Sequence, residues 1–219
     1  MKTVARHMGI AALILTGFAV VGTGLVAVTH SGTKDIIAAA NRAALEASLN
    51  RLVPAERYDN RAIDDRIEVV APEWLGTDQP VTVYRARRGG QPVALFATPT
   101  APDGYGGPIR LLIGVYADGT LAGVRVLAHK ETPGLGDLID EQRSPWILAF
   151  TGRSLTDPEP AKWKVKKDGG AFDQFTGATV TPRAVVKAAY KFLEYVRTHR
   201  EQLFAPAVGA KTVGQSSHP

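Results

Sequence analysis

Thr176-Gly177-Ala178-Thr179 is a run of small and hydroxyl residues, and only Val180 and Thr181 separate it from Pro182. An amphipathic stretch follows. Thr181 is of the type that caps a helix N-terminus, and Pro182 suits the first turn, where its missing N–H is not needed. The Thr179 hydroxyl then lies just ahead of a helix N-terminus, where free N–H groups and the positive end of the dipole favour a phosphate. The chemistry this permits is a phosphate esterified to Thr179. Gly177 and Ala178 leave that side chain unhindered, and Thr176 offers a further hydroxyl donor. Asp173 carries the wrong charge to hold the phosphate and reads, alone, as a turn former bonding its own backbone.

A second stretch, His129-Lys130-Glu131-Thr132-Pro133-Gly134-Leu135-Gly136, has no nucleophile–base logic. Gly134 and Gly136 permit close backbone approach to a planar group, and the plain reading is a turn between a strand and a helix. His129 and Glu131, two apart on a strand, share a face. No third ligand, nucleophilic Ser motif or HExxH accompanies them, so neither a catalytic dyad nor a metal site is expected. The chain has no cysteine. That excludes disulfides, thiolate iron–sulfur clusters and Cys zinc sites, so redox work needs an organic cofactor.

The first stretch resembles the flavinylation motif of FMN-binding domains, Asp-x-x-[Ser/Thr]-Gly-Ala-Thr, here Asp173 to Thr179. The second resembles the Glu-Thr-Pro-Gly-Leu-Gly signature of that family. With the anchor described below, the chain is similar to the RnfG family, the G subunits of Rnf electron-transport complexes. The related C subunit of the sodium-pumping NADH:quinone reductase shares both motifs. The resemblance implies FMN joined to Thr179 through a phosphoester, with Thr176, Gly177, Ala178, Glu131, Thr132, Gly134 and Leu135 around it, Leu135 against the isoalloxazine. It implies that Asp173 is read by a metal-dependent flavin transferase that takes FMN from FAD. It also implies a membrane complex of several Rnf subunits that couples ferredoxin/NADH electron transfer to ion movement, in some bacteria driving reductant towards nitrogenase.

The elements that must position these residues begin with residues 9–29, which carry no charge and are long enough to span a bilayer as a helix. A cleaved signal would have a shorter apolar core and a better small-x-small site. Lys2 and Arg6 precede the span, which puts residues 1–8 in the cytoplasm and the main domain on the periplasmic side of an inner membrane. Gly17, Gly22 and Gly24 would let another helix approach closely. Residues 30–54 read as a linker whose helix runs over 33–52 and stops at Pro54. The FMN-binding domain is expected over 55–205, with a disordered tail over 206–219.

Within that domain, 81–86 and 93–97 alternate as strands around Arg88-Gly89-Gly90-Gln91. A second hairpin, 109–116 and 121–128, turns at Asp118-Gly119. A helix is expected over 138–150 with Pro145 as a break, a short strand over 163–165, and a helix from Pro182 to about Gln202. Antiparallel hairpins followed by helices make an α+β domain.

The net charge of +5 is too modest to indicate a nucleic-acid partner, and no stacking or helix-turn-helix pattern supports one. The cluster Lys162, Lys164, Lys166 and Lys167 around Trp163 reads as a solvated face. Two function classes remain. One is an electron-carrier subunit of a membrane oxidoreductase, with no complete active site of its own. The other is a membrane-anchored flavin-binding sensor, disfavoured because no output domain accompanies it.

Overall fold

The structure, a computed structural model, describes residues 2–205; the expected tail over 206–219 lies outside them. The chain divides into two compact units, Met1–Ser48 and Leu49–Pro219. The first unit belongs to helix α1 (Lys2–Leu52), so the expected linker helix is not a separate element. α1 is long and apolar enough to cross a membrane. Along it Leu13, Leu15, Phe18, Val21 and Val28 are all exposed. An apolar surface of that extent calls for lipid or protein cover, which makes the helix a candidate membrane anchor.

The second unit is built on a sheet with β1 (Arg66–Val69), β2 (Val81–Arg88), β3 (Gln91–Ala97), β4 (Thr100–Ala101), β5 (Ile109–Tyr116) and β6 (Leu121–Ala128), every pairing antiparallel. The order runs β1-β2-β3-β5-β6. The two-residue β4 continues along the edge of β5 that β3 leaves, because Ala97 pairs Ile113 and Thr100 pairs Arg110. Both expected hairpins are present. Gly89 and Gly90 turn the first with φ of 55° and 78°, the double left-handed geometry that suits the twist of a two-residue hairpin. β1 and the short helix α2 (Pro72–Leu75) were not legible.

Helices α3 (Val180–Thr198) and α4 (Arg200–Phe204) follow. The expected final helix thus starts two residues earlier than Pro182 and breaks at His199. α3 buries Thr181, Ala184, Val185, Ala188, Ala189, Phe192, Leu193 and Val196, the helical stripe that the sequence spacing requires. This stripe packs with Leu95, Leu111, Ile113 and Val115 in one core. Alternate strand residues face the other way. There a Cβ on Gly114 would lie 3.3 Å from Phe96 and 3.4 Å from Leu52, so the last turn of α1 covers that face.

The expected helix over 138–150 is instead two 3-10 turns, Gly136–Ile139 and Pro145–Phe150. Pro145 cannot donate within a continuing helix, and Ser144 accepts the Trp146 N–H to start the second turn afresh. The expected strand over 163–165 reduces to one parallel bridge between Val165 and Phe172. Aromatic contacts hold this segment: Phe172 stacks on Phe150 at 4.7 Å, and Trp146 meets Phe175 edge-on at 5.3 Å.

Arg85 and Arg87 of β2 are both buried, and one carboxylate serves both. Their Nε atoms donate to the two oxygens of Asp65 at 2.7 and 2.8 Å. Each also donates to a carbonyl oxygen at the end of α4: Arg85 Nη1 to Ala205 at 2.8 Å and Arg87 Nη2 to Phe204 at 3.1 Å. The surplus positive charge therefore meets the carbonyl end of a helix, where cations are favoured.

Candidate flavin attachment site

The Thr176–Thr179 segment is a tight turn. Ala178 N–H donates to the Phe175 carbonyl at 3.2 Å, and Gly177 takes φ of 81°, a value that strains any other residue. Thr179 is half-buried and occupies the N-cap position of α3, with helical backbone angles and no side-chain capping bond. This corrects the expectation that Thr181 caps the helix. Val180 and Thr181 open α3 with N–H groups that have no acceptor a turn earlier, and Pro182 has none to offer. The Arg183 N–H donates to the Thr179 carbonyl at 3.4 Å. A hydroxyl free of capping duty thus stands at the positive end of a 19-residue helix.

Thr181 has a different role. It is fully buried, and its hydroxyl donates to Glu131 Oε2. Glu131, 5% exposed, accepts the Gly106 N–H on its other oxygen at 2.9 Å. His129 Nδ1 accepts the Glu131 backbone N–H at 3.1 Å, so the two side chains do not form a dyad. Local capping rules cannot reveal the Thr181–Glu131 contact, because its partners are 50 residues apart.

The loop after Glu131 is wound on one acceptor. The Thr132 carbonyl receives the N–H groups of Leu135 and Gly136 at 3.1 Å and of Asp137 at 3.4 Å, with Gly134 at φ of 77°. Thr132 and Gly134 are exposed on this turn. Leu135 is 42% exposed, and its Cδ2 would lie 3.6 Å from a Cβ on Gly177. The fold therefore brings the two sequence motifs side by side. Val180, 43% exposed, adds apolar surface next to Thr179. Asp137 is a buried residue that no sequence pattern singles out. Its Oδ2 lies 3.6 Å from Arg143, while Oδ1 has no hydrogen-bond partner.

Asp173 sits apart from this cluster. Its carbonyl accepts the Trp146 indole N–H at 2.8 Å, and its carboxylate pairs with Lys166 Nζ at 2.5 Å. Nearby, Arg183 grips both oxygens of Asp168 at 2.5 and 2.7 Å. That bidentate bond holds Asp168 below its ordinary carboxylate value and raises Arg183. Lys162, Lys164, Lys166 and Lys167 are all exposed, as a solvated face requires.

An FMN phosphate fits this arrangement: a hydroxyl with no capping bond, helix N-terminal donors, and Leu135 and Val180 as exposed apolar neighbours for a ring. Comparison with known proteins points the same way. Residues 104–194 match the FMN-binding domain family, and residues 1–52 match the RnfG N-terminal region. The G subunit of the ion-translocating oxidoreductase complex of Pseudomonas aeruginosa is 53% identical over 199 residues, covering 91% of this chain and 93% of that protein. Its counterpart in Vibrio cholerae serotype O1 is 48% identical over 203 residues, covering 93% and 95%. That of Pseudoalteromonas atlantica is 47% identical over 193 residues, covering 88% and 90%.

Proposed function

We propose, for a chain that belongs to the family of G subunits of ion-translocating oxidoreductase complexes, that it carries FMN on Thr179 and transfers electrons within such a complex. The FMN-binding domain supports the cofactor. The observation that carries the attachment point is the Thr179 hydroxyl, at the N-terminus of α3 and free of any capping bond. In the attachment, the Thr179 oxygen attacks the FMN phosphorus of FAD. The new bond is the phosphoester, the bond broken is that of the pyrophosphate, AMP leaves, and the hydroxyl proton goes to solvent or to the flavin transferase. Bound FMN supplies one- and two-electron chemistry. The chain's own residues would hold it: the Val180 and Thr181 N–H groups would be donors for the phosphate, Thr176 would offer a hydroxyl, and Leu135 would supply apolar surface for the ring.

Lys2 and Arg6 ahead of the span place the domain on the periplasmic side of the inner membrane. A chain without cysteine has no iron–sulfur relay, so its flavin exchanges electrons with other members of the Rnf complex. The complex joins ferredoxin/NADH electron transfer to ion movement, and reductant for nitrogenase is one use of it.

The test is intact mass of the full chain, exported in a host that has the flavin transferase. It should gain one FMN less one water and fluoresce on a denaturing gel. Thr179→Ala should lose both signals and still fold, and covalent flavin retained in that variant overturns the assignment. Protease added to spheroplasts should digest the domain, and protection would reverse the orientation.

A further inference from the structure

We propose that Glu131 is a positioning residue that latches the flavin-acceptor turn through Thr181 and does not itself touch the cofactor. The proposal rests on the reading that Thr179 carries FMN. Both Glu131 oxygens are already taken by donors of the protein, the Gly106 N–H and the Thr181 hydroxyl. The carboxylate is also walled in. A Cβ on Gly136 would come 2.7 Å from Oε2 and 2.9 Å from the Thr181 hydroxyl, and one on Gly104 would come 2.9 Å from Oε1. Glycine backbone fills the space that a ligand atom would need.

The latch acts at one remove. Thr181 is the second residue of α3, and Thr179 stands two residues before it. Fixing the Thr181 side chain fixes the direction from which the Thr179 hydroxyl emerges. α3 has no acidic residue in its first turn, so Glu131 brings a carboxylate from another segment to the positive end of the helix. Such a charge-assisted bond, shielded from water, is stronger than a neutral one. Glu131 also begins the loop that carries Leu135 to the side of Gly177. One carboxylate thereby ties together the 104–107 loop, the 131–136 loop and the acceptor turn.

The experiment follows loading of the purified, unflavinylated full chain by flavin transferase and FAD, read by intact mass over time. Thr181→Val keeps the shape and removes the donor. It should lower the loading kcat by about tenfold or more and leave KM for the chain little changed, because the surface around Asp173 is untouched. Thr181→Ser should restore loading. Glu131→Gln should be slow, and combining it with Thr181→Val should be no slower than the worse single variant. Near-UV circular dichroism identifies any variant that fails to fold. If Thr181→Val does not fold, the contrast between Thr181→Ser and Glu131→Gln decides in the same way. Wild-type loading rates in Thr181→Val or in Glu131→Gln overturn the latch while leaving the attachment intact. A wild-type chain that gains no flavin overturns the attachment and the latch together.

Discussion

At Asp173 the backbone and the side chain do different things. The carbonyl is fastened by the Trp146 indole, while the carboxylate is 67% exposed and pairs with Lys166. An exposed ion pair of this kind contributes less than about 1 kcal/mol. Asp173→Ala should therefore barely change the melting temperature, yet slow flavin loading by the transferase, as loading kinetics beside a thermal melt will show. Equal loading of the variant would leave Asp173 only its turn. Residues of this sort are legible from sequence because their neighbours are local: Thr179, Gly177 and Pro182 declare a turn and a helix start within seven positions. The role of Thr181 is illegible for the converse reason. Capping propensity weighs only the adjacent backbone, and a buried carboxylate from another loop outcompetes it.

Among the elements, the two hairpins were legible because Gly89, Gly90 and Gly119 all take positive φ at the turns, and their flanks alternate. The 138–150 segment was legible only in its break at Pro145; its apolar spacing suits an α-helix, whereas both turns are 3-10. α3 and β2 make sharper tests. Asp65→Asn would leave the buried Arg85 and Arg87 without their shared anion, a loss of about 3–5 kcal/mol by chemical denaturation. On α3, burial pushes the Tyr195 phenol above its ordinary value of 10.0. The unfolded phenol ionises first, so its share of stability is whole below about pH 10 and lost as pH rises towards the raised value. Tyr195→Phe should flatten the fall in melting temperature on the alkaline side and leave it unchanged at neutral pH.

For the whole molecule, the anchor and the domain are separate compact units, and their tasks should separate as well. Replacing residues 1–30 with a cleavable export signal should yield a soluble, flavinylated domain. That domain should fail to restore activity to membranes lacking this protein, and full restoration would make the anchor dispensable. The apolar helix was legible because an uncharged run of this length matches the thickness of a bilayer. The packing of the last turn of α1 on the sheet was not, because Leu49 and Leu52 read as the tail of an ordinary amphipathic pattern. The contact between Glu131 and Thr181 has one more consequence, and it concerns time. Fifty residues separate the pair, so the seven-residue acceptor motif is complete in any chain whose Glu131 and Thr181 have not yet met. A nascent or misfolded chain spells the motif correctly and still presents the wrong object. With FMN loaded on Thr179 as proposed, the colour of a preparation would read as an inspection stamp for folding as well as an assay of cofactor supply.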